Sequence, residues 1–98
     1  MKHYSFGQLA RSLKAKDLAV IRLLREGGEI TLSTPRKRYP FELLSVRPHD
    51  PLITKEAVNF LEGAGLITHR SSVPETCFFF LTQHGHAIAT MMGYKERP

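Results

Sequence analysis

The residues best equipped for chemistry in this 98-residue chain are its cations, its histidines and its one cysteine. Arg36-Lys37-Arg38 is the densest basic run, flanked by Pro35 and Tyr39-Pro40-Phe41 and followed by Arg47. Cations clustered in a turn suit contact with a phosphate backbone, because they displace counterions without needing a shaped cavity. A charged solubilising turn is the competing reading. Lys55 and Asn59 lie four residues apart, and both side chains can donate hydrogen bonds to base edges. Glu56 and Glu62 in the same stretch count against phosphate contact, so a solvated helix face is the alternative there. His69-Arg70 lies on a strand-like run, where an arginine can enter a narrow minor groove or simply line a polar strand face.

Catalytic and metal chemistry find less support. His84-x-His86 is close in sequence to Cys77 and His69, but side chains two apart on a helix point about 200° apart. Paired ligands from two elements, the usual metal spacing, are missing from the sequence. Cys77 beside Phe78 reads as a small packed hydrophobe, with no neighbouring cation or helix N-terminus to activate it. No nucleophile elbow, phosphate-binding glycine loop or paired-carboxylate motif occurs. The expectation is a protein without a catalytic step, a cofactor or a metal.

These side chains must be positioned by short elements, because glycines and prolines divide the chain repeatedly. Phe6, Leu9, Ala10, Leu13, Val20, Ile21 and Leu24 recur at helical spacing, with Ser5 and Gln8 forming a capping box. Helix is expected from Ser5 to Glu26, ended by Gly27-Gly28, either continuous or restarted with Asp17 as N-cap. Glu29 to Leu32 alternates as a strand does. Phe41 to Val46 is either a returning strand or one helical turn, kept short by Pro40 and Pro48. Thr54 should cap a helix over 55–62, with Ala57, Val58, Leu61 and Phe60 as candidates for its buried stripe. Leu66 to Arg70 and Thr76 to Leu81 should pair as a hairpin around a Ser71 to Glu75 connection. Alternation along Phe78-Phe79-Phe80 puts one pair in the core and leaves Phe79 exposed. Thr82 should cap a last helix that Gly93 ends.

Ninety-eight residues with 42% apolar content fit one compact domain, residues 1–98. A domain this small buries about 65% of its unfolded-chain surface, which leaves little room for a deep active site. No apolar run approaches the ~20 residues of a membrane span, so a cytoplasmic protein is expected. Fourteen Lys and Arg against nine Asp and Glu give a formal charge of +5, an electrostatic match to polyanions.

Taken in order, Val58, Leu61, Gly65-Leu66-Ile67 and then Phe80-Leu81-Thr82-Gln83-His84-Gly85-His86-Ala87-Ile88-Ala89 resemble the MarR-type winged-helix family. The likeness is best over residues 53–89. It implies an α+β winged helix: helix, short strand, an irregular or hairpin segment, helix, β-hairpin wing and C-terminal helix. It departs from the family between Leu32 and Ile53, where no amphipathic helix precedes the one at Thr54. The resemblance implies a transcription regulator that binds double-stranded DNA as a homodimer, with Arg36, Lys37, Arg38, Arg47, Lys55, Asn59, His69 and Arg70 at the interface. The N-terminal helix with Met91, Met92 and Tyr94 supplies candidate dimer surface. The alternative is a winged-helix module that binds a protein partner, such as an accessory or inhibitory protein of a mobile element.

Overall fold

The computed structural model describes residues 6–33, 43–73 and 76–96, leaving aside the side chains of Phe6, Ser72 and Val73. Its elements run α1 (Phe6–Ser12), α2 (Ala15–Arg25), β1 (Glu29–Ser33), β2 (Leu43–Arg47), α3 (Lys55–Gly63), β3 (Ile67–Val73), β4 (Thr76–Leu81) and α4 (Gln83–Met91). The fold class is α+β, with one antiparallel sheet in the order β2-β1-β4-β3.

The N-terminal helical stretch divides at Leu13-Lys14, and Asp17 is not the N-cap expected of it. Lys14 takes that position, and the Asp17 carboxylate reaches back one turn to accept the Lys14 backbone N–H at 2.9 Å. A short acid in the first turn can do this because the N-cap's own N–H is otherwise unpaired. Asp17 is consequently only 3% exposed. Ser5 lies outside the described residues, so its capping box does too.

Phe41 to Val46 resolves in favour of a strand where it is described. β2 pairs with β1 from Glu29–Arg47 to Ser33–Leu43, so the two form a hairpin. β1 then pairs on its other side with β4, from Thr31–Phe78 to Ser33–Thr76. The second hairpin is longer than its sequence suggests. β3 continues through Ser71 to Val73, with a register shift between Ser71 and Val73. Only Pro74 and Glu75 separate the strands, because the bulge absorbs a residue that a loop would otherwise hold.

Directly opposed residues share a sheet face, which sorts the side chains. Ile67 opposes Leu81 and is 1% exposed, while Ile30 opposes Val46 and is 0% exposed. That face carries the helices: Val20 and Ile21 of α2, Val58 and Leu61 of α3 and Ile88 of α4 close over it in one apolar cluster. Phe79 shares the parity of Leu81 and is therefore buried, whereas Phe80 is 48% exposed. This reverses the expectation for the phenylalanine triplet. The alternation holds but its phase is opposite, because the inward set on β4 is the buried Phe79 with the partly buried Leu81 and not the larger aromatic pair. Phe60 likewise turns outward, since Ala57, Val58 and Leu61 already fill the inner side of α3.

The ends of α3 and α4 interlock. α3 stops because Gly65 takes φ +78°, and the Leu66 N–H returns to the Leu61 carbonyl. Thr82 caps α4 by accepting from the Gly85 N–H, and its hydroxyl donates to the Gly65 carbonyl at 2.6 Å. A Cβ on Gly85 would sit 2.1 Å from the Leu66 carbonyl oxygen, so this residue must be glycine for the two segments to meet.

Candidate nucleic-acid interface

α3 is held on three sides and open on the fourth. Thr54 starts it by accepting the Ala57 N–H at 3.2 Å. Ala57, Val58 and Leu61 fix its inner side, α2 lies along one flank and β3 along the other. With 100° per residue, Asn59 and Glu56 form its crest, while Lys55 and Glu62 lie on the flank nearer β3.

Both carboxylates on this helix meet a basic side chain from a neighbouring element. Glu56 faces the Lys16 ammonium of α2 at 4.0 Å, and Glu62 is hydrogen-bonded to the His69 imidazole of β3. The first pair is open to solvent and contributes little to stability. Its effect is on charge: it sets a cation beside the crest where the sequence alone shows an acid. Lys16 is missing from the expected contact residues, because only the packing of α2 on α3 brings it there. His69 is also in edge contact with the Phe79 ring, at 5.9 Å between centroids.

The expected contact residues do not form one surface. Lys55 and Asn59 lie on α3, and His69 lies on the helix-bearing face of β3 beside it. Arg47 and Arg70 both project from the other face of the sheet, at its β2 and β3 edges. Arg36, Lys37 and Arg38 lie outside the described residues.

Other cations are committed to holding the chain together. Arg25 donates to the Tyr94 carbonyl at 3.2 Å, to Thr90 Oγ1 at 3.2 Å and to Glu96 Oε1 at 3.1 Å, and it approaches His86 Nδ1 at 2.7 Å. Arg22 pairs with Glu26 and stands 5.8 Å over the Tyr94 ring. Tyr94 is thereby packed against its own α2, while Met91 remains 57% exposed.

Among the described residues, no group of three or more His, Cys, Asp and Glu is placed to hold a metal, and no helix is long and apolar enough to cross a membrane. A concavity of about 480 Å³ lies between α2 and residues 48–52, where Leu18, Ala19, Leu52 and Tyr94 line it together with Arg22, Glu26, His49 and Asp50.

No family model, curated protein or solved structure matches the chain. Function must therefore be argued from the geometry.

Proposed function

We propose that the protein is a non-catalytic DNA-binding regulator of winged-helix type, with α3 as the helix that approaches duplex DNA and β3–β4 as the wing. The observation that carries this reading is the exposed side of α3, with Asn59 on its crest, Lys55 on the β3 flank, Lys16 of α2 on the other flank, and a basic partner for each of the helix's carboxylates. The order of α3, hairpin and α4, locked by Gly65, Thr82 and Gly85, is the order that the MarR-type resemblance implies. Asparagine and lysine are suited to base edges and phosphates respectively. The strand β2 occupies the place of the first helix of a helix-turn-helix, so backbone contact on that side falls to strand and loop residues.

The test is a fluorescence titration of a mixed-sequence duplex at two salt concentrations. Binding should weaken steeply with salt, and Lys55→Ala should lower the log–log slope by about 0.9. On a selected site, Asn59→Ala should cost about 1–3 kcal/mol, with a smaller effect on random duplex. Absence of binding at low salt overturns the reading.

A second reading is favoured by one specific feature. Phe60, 44% exposed on the α2 flank of α3, and Leu52, 52% exposed, are apolar groups that a protein partner would cover. In that case the protein is an accessory or inhibitory module, and the titration above gives no signal.

A further inference from the structure

Among the described residues no element covers the second side of the sheet, which the α3 reading does not use. Phe78 and Phe80 stand on it in the inner strand β4, two residues apart, hence roughly 6.8 Å apart along the strand. Phe80 is 48% exposed and Phe78 half-buried. Arg70 opposes Phe78 on β3, Thr31 opposes it on β1, and Thr68 opposes Phe80. Arg47 stands on the same side at the β2 edge, opposite Glu29, the one carboxylate that this side carries among the described residues. Two aromatic faces flanked by guanidinium groups and hydroxyls form a polar, cationic platform rather than an apolar one.

We infer that this uncovered sheet face binds single-stranded DNA, with Phe78 and Phe80 stacking bases and Arg70 and Arg47 contacting phosphates. Stacking on aromatic rings needs unpaired bases, since a duplex hides their faces. The spacing of the rings is about two base steps of 3.4 Å. Charge selects the occupant: two arginines against one glutamate on the face, in a chain of net +5, favour a polyanion over an acidic-neutral protein surface. The inference is independent of α3, because Lys55 and Asn59 lie on the opposite side of the sheet.

The chain contains no tryptophan, so Phe80→Trp introduces a single tryptophan at the platform, whose emission is read apart from that of the three tyrosines by selective excitation. Titration of this variant with an eight-residue oligothymidylate should quench its emission by stacking, and the same length of abasic strand or of duplex should not. Phe80→Ala, at an exposed position, should weaken oligothymidylate binding about tenfold. Arg70→Ala should reduce the salt slope by about 0.7. Lys55→Ala should leave single-strand binding intact, so failure of the α3 reading and failure of this one are separable. Three results would overturn the inference: no quenching at low salt with circular dichroism unchanged, equal quenching by the abasic strand, or a concentration-dependent dimer that Phe80→Ala abolishes. Oligouridylate binding more than tenfold tighter than oligothymidylate would overturn the assignment to DNA.

Discussion

Gly85 and Gly63 make opposite demands on the same chemical change. At Gly85 an added methyl would collide with the Leu66 carbonyl at 2.1 Å, and the backbone on both sides is pinned by Thr82. Gly85→Ala should therefore destabilise the protein by about 2 kcal/mol, a fall on the order of 10 °C in Tm by calorimetry. At Gly63 a Cβ would meet nothing within 4 Å, and the residue lies in the last turn of α3. Gly63→Ala should leave Tm unchanged or raise it, because alanine loses less backbone entropy in a helix. The reverse ranking would show that the α3–α4 junction is not held as described. Gly85 is legible in the sequence only as part of a threonine-capped helix start. The carbonyl that excludes every other side chain is supplied by Leu66, nineteen positions earlier by number, and only the fold reveals it.

At the scale of elements, the two threonine-capped helix starts are plain in the sequence, the start of α2 is not, since Lys14 and not Asp17 caps it, and strand faces are the hardest to read. Thr54 and Thr82 announce their helices because capping is a bond between residues three apart, complete within one turn. Thr54→Ala should accordingly cost about 1 kcal/mol, seen in urea unfolding as a lower midpoint with an unchanged m-value. An altered m-value would point instead to a changed compactness of one of the two states. The phenylalanine triplet shows the opposite case. Alternation along β4 is local, but which side faces the helices depends on β1, β3 and three helices. The same holds for the cations: whether Arg25 is a surface charge or a pin for the C-terminal segment depends on partners 61 to 71 positions away. Of the expected contact residues, Lys55 and Asn59 fall on one helix, as their spacing suggests, since helical periodicity is a local property. It offered no way to see that Arg47 and Arg70 belong to another side of the sheet.

For the whole molecule, the sheet is two hairpins joined along a short seam. β1 meets β4 only between Thr31–Phe78 and Ser33–Thr76, whereas the pairs within each hairpin run further. β2 is attached to the sheet through β1 alone. Native-state hydrogen exchange should therefore show β2 amides opening at lower free energy than those of β3 and β4, by subglobal events that leave the C-terminal hairpin closed. Equal protection across all four strands would rule this out. The seam also orders events during synthesis. The edge of β1 that β4 will occupy, beside Ile30 and Leu32, emerges from the ribosome well before Thr76 exists. At about 5–20 residues per second the nascent chain carries that bare strand edge for several seconds. An unpaired edge beside apolar side chains is an aggregation template, so the interval between the two halves is when this chain most needs a chaperone or a slow concentration build-up.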